Sequence, residues 1–428
     1  MKKKEILKQI IRDFHLSPEF ALKPREFKVP FDTQKIITLI GVRRSGKTSI
    51  LYEAINRLSQ EIDKTKIVFV NFEDERLELG TDELDLILQA YRELYPAHNL
   101  NECYFFFDEI QNVNGWEKFI RRIYDTLSQN IFITGSNSKL LSSDIATSLR
   151  GRTLSFEILP LSFREYLWFN DIEIDLYSTA SLSYIQNAQE RFLRVGAFPE
   201  IVFLDDRYRN KILQEYFNVM IYKDLIERYA IKNTAALKFF IKRILASSTK
   251  AISINKLYNE LKSNGIKIGK NSLYEYLEYV QNIYLSLVLQ RYDTSLVNQE
   301  LGEKKIYSID VGLSNAVEFH FSDNIGKSLE NMVFLELRRR GETIFYHRDE
   351  RSECDFILQE NNRITQAIQV TYSLQEEETK LREIKGALTA CKAYNLSQAT
   401  IITYDHEDTI TQDGVRIEII PFYKWVLL

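Results

Sequence analysis

Gly41-Val-Arg-Arg-Ser-Gly-Lys-Thr48 decides how this chain is read. The stretch matches G-x-x-x-x-G-K-S/T, in which glycines let backbone N–H groups curl around phosphate oxygens without side-chain clash. Its flanks agree. Before it, Lys35-Ile-Ile-Thr-Leu-Ile40 is a short apolar run suited to a buried parallel strand. After it, Ile50, Leu51, Ala54, Ile55, Leu58 and Ile62 recur at helical spacing. A strand, a glycine loop and the positive end of a helix dipole predict a nucleotide-phosphate site. The spacing assigns Gly41, Val42, Arg43, Arg44, Ser45, Gly46, Lys47, Thr48 and Ser49 to the phosphate cradle. Lys47 is expected to reach the β- and γ-phosphates and Thr48 to hold Mg2+, so ATP and Mg2+ are the expected cofactors.

Outward from this loop, Lys66–Phe72 (KIVFVNF), Tyr104–Asp108 (YFFFD) and Asn130–Gly135 (NIFITG) are further apolar strands, with a fifth at Leu154–Ile158. Trp116, Phe119, Ile120, Ile123, Tyr124 and Leu127 recur at helical spacing between two of them. Apolar strands alternating with amphipathic helices predict an α/β domain whose parallel sheet is covered on both faces. The third strand ends in Asp108-Glu109, a Walker B pattern. Asp108 is expected at the Mg2+, and Glu109 as the base that polarises the attacking water. At the end of the fourth strand, Asn137 is the first candidate to position that water and Ser136 the second. Downstream, Arg152, ahead of Arg150, is a candidate arginine finger for a neighbouring subunit's γ-phosphate.

The chain has 428 residues, enough for two to four domains. The reading divides it into a helix and extended lead-in (1–30), a P-loop ATPase domain (31–161), an aromatic-rich helical lid (162–248), a winged helix (249–313) and a terminal α/β domain (314–428). The winged helix rests on a helix–turn–helix–hairpin outline, with Lys267 and Lys270 before the second helix. Fifteen Gly and seven Pro exclude collagen-like and Pro-rich disordered classes. A net charge of −4 gives no overall basic field for nucleic acid. Three separated cysteines (Cys103, Cys354, Cys391) and no long apolar run point to a cytoplasmic protein without a disulfide framework or membrane span. The five histidines, His320 among them, show no zinc spacing.

Gly41–Ser49, Asn71-Phe-Glu-Asp-Glu-Arg76, Phe106-Phe-Asp-Glu-Ile-Gln-Asn112, Ile133-Thr-Gly-Ser136, Leu159-Pro-Leu-Ser-Phe163 and Val195-Gly-Ala-Phe-Pro-Glu200 resemble a group of prokaryotic AAA+ ATPases. The resemblance covers nearly the whole chain. It implies an AAA+ module, a helical lid, a winged helix and a terminal domain like the PD-(D/E)XK nucleases. It also implies homo-oligomeric ring assembly, a hexamer first, with the ATP site between subunits. Nuclease chemistry of that kind needs a helix Glu, a strand Asp and an acid-x-Lys on the next strand. Glu330 and Asp355 fit the first two. Gln369 stands where the acid is expected and Thr371 where the Lys is expected, so the nuclease site is read as vestigial. The function expected is Mg2+-dependent ATP hydrolysis acting on nucleic acid. The alternatives are an ATP-controlled switch that binds protein partners and an ATPase-coupled nuclease.

Overall fold

Every apolar run expected as a strand in the first part of the chain joins one sheet. A computed structural model describes residues 2–138, 147–317, 325–350 and 352–428. The strands are β1 (Ile36–Ile40), β2 (Ile67–Asn71), β3 (Tyr104–Asp108), β4 (Ile131–Gly135) and β5 (Thr153–Glu157). Their order is β2-β3-β4-β1-β5, and each pairing is parallel. Parallel strands need crossovers that cover both faces. The helices are α1 (Lys2–Leu16), α2 (Lys47–Ser59), α3 (Asp85–Leu94) and α4 (Trp116–Thr126). On one face, Ile50, Leu51, Ala54, Ile55 and Leu58 of α2 close on Ile37, Leu39, Phe69, Phe106 and Phe132. On the other, Phe119 of α4 meets Phe107 at 6.0 Å between ring centroids.

The lead-in to the first strand is fixed to this core. His15 shares hydrogen bonds of 2.8 Å with the Ile67 carbonyl and the Tyr95 hydroxyl. Phe20 stacks on Tyr52 of α2 at 3.8 Å. Arg25 donates to the Ser45 carbonyl at 2.8 Å, which places this segment against the phosphate loop. Contacts divide the chain into two compact units, Met1–Ile158, which holds this sheet, and Leu159–Leu428.

The second unit opens with helices, including Phe163–Phe169, Thr179–Val195, Asp206–Val219 and Thr234–Ala246. A small antiparallel sheet follows, ordered β6-β8-β7: β6 (Ala251–Ile252), β7 (Ser286–Gln290) and β8 (Lys304–Ser308). Helices Ile254–Ser263 and Lys270–Asn282 separate β6 from β7. A short helix, Leu296–Leu301, interrupts the β7–β8 hairpin with Leu296, Val297 and Leu301 exposed. After the helix Ile325–Arg339 comes a six-stranded mixed sheet ordered β13-β14-β12-β11-β10-β9. Its strands are β9 (Thr343–Arg348), β10 (Glu353–Glu360), β11 (Arg363–Val370), β12 (Gln398–Thr403), β13 (Asp408–Gln412) and β14 (Val415–Pro421). The helix Glu377–Tyr394 covers it through Ala387, Ala390 and Cys391, against Cys354 and Ile357. All three cysteines are buried free thiols.

Val195-Gly-Ala-Phe-Pro-Glu200 is held by one buried carboxylate. Asp310, 1% exposed, accepts from the Ala197 N–H at 2.6 Å and the Leu313 N–H at 2.8 Å, and from Gly312. Burial pushes this acid up to about 6 against those donors. Removing the acceptor strands buried N–H groups, which costs far more than the net worth of one hydrogen bond. Asp310→Ala is expected to destabilise the second unit by about 2–4 kcal/mol in urea unfolding. A loss within experimental error would show that the 195–200 turn does not depend on this carboxylate.

Candidate functional site

Gly41 has no room for a side chain: a Cβ there would lie 2.0 Å from the Ile158 carbonyl oxygen. Gly46 begins α2 in the left-handed region at φ 94°. Between them the loop brings Lys47 inward, 3% exposed. The Lys47 ammonium donates to the Gly41 and Val42 carbonyls at 3.0 Å and lies 3.6 Å from Glu109. Phosphate oxygens that draw on this lysine must compete with two loop carbonyls and one carboxylate. Thr48, one residue on, donates to both Asp108 oxygens, at 2.9 and 3.2 Å.

Asp108 arrives at the end of β3, a strand whose Phe105, Phe106 and Phe107 are wholly buried. A second hydroxyl meets it there. Thr134 of β4 donates to Asp108 at 2.5 Å and accepts from the Glu109 N–H at 2.9 Å. That N–H bond pins Glu109 in the left-handed region at φ 53°, an uncommon conformation for a non-glycine residue. Gln111 then donates a short hydrogen bond to the Glu109 carboxylate and lies 3.4 Å from the Ser136 hydroxyl.

The two adjacent acids are driven apart. Burial pushes Asp108 up to about 6, against the hydroxyls of Thr134 and Thr48 and the charge of Lys47. Glu109 is also penalised by burial, but Lys47, Gln111 and Arg43 outweigh it and hold Glu109 below the usual carboxylate range. One acid stays ionised and suits a general base. The other gains most from a cation. The Thr48 hydroxyl and the Asp108 carboxylate are hard oxygen donors that fit Mg2+.

The sequence pattern named Lys47, Thr48, Asp108 and Glu109, and the fold brings these four together. Val42 and Ser45 are buried in the loop, while Arg44 and Ser49 are exposed. Arg43 pairs with Glu73 of the Asn71–Arg76 stretch at 2.6 Å. Just beyond β4, Asn137 is buried and Ser136 hydrogen-bonds the Glu109 carboxylate, while Thr134 of the strand itself meets Asp108. Thr134 and Gln111 were missed. A hydroxyl closing the apolar run Ile131-Phe-Ile was the available signal. Arg152 pairs with Asp125 at 2.8 Å and lies over the Tyr124 ring, and Arg150 is exposed.

The second unit gathers Glu330, Asp355 and Gln369, and it corrects one expectation. Thr371 stands where the nuclease pattern places the cluster's lysine, which leaves the pattern itself without a cation. Lys305 of β8 supplies one, 2.9 Å from Asp355, 3.2 Å from Glu330 and 2.7 Å from Glu353. Gln369 is not turned as a ligand. Its carbonyl accepts from the Asp355 N–H at 3.2 Å and its amide donates to Glu383 at 2.5 Å. Burial, with Asp355 adding to it, pushes Glu330 up to about 8. His320 lies outside the described residues.

Residues 33–167 match the family model of an AAA domain. Residues 186–324 and 325–425 match two domains of unknown function, DUF8612 and DUF4143. The chain is 39% identical over 439 aligned residues to the uncharacterized protein MJ1544 of Methanocaldococcus jannaschii, across 99% of this chain and 96% of that one. The chain belongs to that protein's family. An uncharacterized protein of Haemophilus influenzae is 29% identical across 92% of this chain and 95% of its own length. Among solved structures, the Walker-type ATPase PABY2304 of Pyrococcus abyssi aligns at 15% identity and a TM-score of 0.41, over 74% of this chain and 95% of that one. That likeness is too loose to bear on function. In this family member the phosphate loop lies in the AAA domain. Lys305 falls in the DUF8612 segment, and Glu330, Glu353 and Asp355 fall in the DUF4143 segment. No helix among the described residues is long and apolar enough to cross a membrane.

The raised Asp108 carries a stability prediction. Its proton is held more tightly in the folded chain than in the unfolded one, so the fold loses stability as pH rises from about 4 through about 6. In EDTA and without nucleotide, Asp108→Asn is expected to raise the melting midpoint at pH 8, the gain shrinking toward pH 5. An upper bound is about 3 kcal/mol. A variant less stable than the parent at pH 8 would contradict the burial argument.

Proposed function

We propose that this chain is a Mg2+-dependent ATP hydrolase. The observation that carries the reading is the convergence of Lys47, Thr48, Asp108 and Glu109 at one buried point where β1 and β3 end. Thr48 and Asp108 would hold Mg2+, which would supply charge screening for the phosphates. Lys47 would exchange its two carbonyl partners for phosphate oxygens. Glu109, held ionised by Lys47 and fixed by Thr134 and Gln111, would take the proton of the attacking water. Arg152 acting in trans on a ring neighbour belongs to the same reading, and there it must give up Asp125.

For the output, nucleic acid is the first proposal. The helices and small sheet at 251–308 support a winged-helix reading, and Lys262, Lys267 and Lys270 are exposed around the start of its second helix. Exposed Glu275 and Glu278 on that helix confine any phosphate contact to that end. The apolar tip at Leu296, Val297 and Leu301 favours the second reading, a protein-binding switch. A DNA-stimulated ATPase rate that falls steeply with salt supports the first. An unchanged rate with DNA supports the second.

Two variants test the hydrolase itself. Lys47→Ala is expected to abolish nucleotide binding. Glu109→Gln is expected to bind ATP normally and lose turnover by about 100-fold or more, the usual scale for losing a general base. Parental turnover in Glu109→Gln would remove Glu109 from the chemistry.

A further inference from the structure

The second unit holds a carboxylate cluster at the floor of a cavity of about 860 Å3. Glu330 comes from the helix Ile325–Arg339, Glu353 and Asp355 from β10, and Lys305 from β8. In a metal-dependent nuclease, a divalent cation sits among such acids and a lysine stands beside it. The geometry here differs. The Lys305 side chain is 2% exposed, and its ammonium is within 3.2 Å of all three carboxylates. It donates directly to Glu330 Oε1 and Asp355 Oδ1, one oxygen of each acid.

Other groups around the cluster are committed too. Asp355 Oδ2 accepts from the Val370 N–H at 3.0 Å. The Tyr307 hydroxyl donates to Glu330 Oε1 at 2.8 Å. Gln369 offers the cluster no oxygen, because its carbonyl faces the Asp355 N–H. Mg2+ demands near-octahedral oxygens at about 2.0–2.1 Å. An ammonium bonded to the same two acids would lie against such an ion, and like charges at that separation repel strongly in a buried site. Among the described residues, no group of three or more His, Cys, Asp or Glu side chains is placed as a metal's donor set.

We propose that the Lys305 ammonium takes the place of a divalent cation in this cluster, so that Glu330, Glu353 and Asp355 hold no metal and the cavity above them does not perform metal-dependent hydrolysis. The cation lost from the acid-x-Lys pattern at Thr371 has been replaced by one that plugs the site. Removing its charge while keeping its length opens a cation site that the parent chain does not have.

The test titrates the full chain with Mn2+ in the absence of nucleotide and reads free Mn2+ by electron paramagnetic resonance. Four proteins are compared: the parent, Asp355→Asn, Lys305→Met and Lys305→Met/Asp355→Asn. The parent and Asp355→Asn are expected to bind Mn2+ alike. Lys305→Met is expected to gain one Mn2+ per chain, lost again in the double variant. Its melting midpoint should rise with Mn2+ by about 3 °C or more, while the parent's does not. An Asp355-dependent Mn2+ site in the parent overturns the proposal, as does a folded Lys305→Met with no added site. Mg2+-dependent DNA cutting by the parent, lost in Asp355→Ala, overturns it as well. If Lys305→Met does not fold, the parent and Asp355→Asn still decide: equal binding supports the proposal and unequal binding overturns it.

Discussion

Asp108 is a carboxylate carried into the interior on a strand made almost wholly of phenylalanine. A buried charge of this kind is tolerated only if donors meet it. Two hydroxyls do so: Thr48 from the first turn of α2 and Thr134 from β4. Those bonds tie the phosphate loop, β3 and β4 to one point. They also set the backbone of Glu109, because the Thr134 oxygen that donates to Asp108 accepts from the Glu109 N–H. The left-handed turn at Glu109 then aims its side chain at Lys47 and Gln111. A single desolvated acid thereby fixes the spacing of lysine, hydroxyl and second carboxylate.

The second unit solves the same problem twice, with different partners. Asp310 is met by backbone N–H groups and holds a turn. Glu330, Glu353 and Asp355 are met by one lysine. The partner decides what each acid can do. Hydroxyls leave Asp108 able to take up a cation, whereas backbone donors make Asp310 structural. An ammonium bonded to all three acids closes the Glu330 cluster.

The parallel sheet was legible because each strand is a continuous apolar run, which only a doubly covered sheet accommodates. The four residues of the candidate site were legible because the chemistry proposed for them demands fixed spacing along one loop and one strand end. Thr134 and Gln111 were not, since a hydroxyl in a strand and an amide in a turn are ordinary there until the neighbours are known. Lys305 was invisible for a different reason: it lies 50 residues before Asp355 and joins it only through folding. The β13–β14 hairpin did carry a local signal. Asp413 and Gly414 both adopt positive φ, the Asp-Gly turn that joins tight hairpins. Its first strand, however, is nearly all exposed and carries no apolar pattern.

On the proposed function, Thr48 and Asp108 take up a cation together with the phosphates. Equilibrium binding of ATP to the full chain, with Mg2+ and then in EDTA, tests this most directly. Mg2+ is expected to tighten ATP at least tenfold, about 1.4 kcal/mol, and the gain is expected to disappear in both Thr48→Ala and Asp108→Asn. Equal affinity with and without Mg2+, or a gain that survives either substitution, would contradict it.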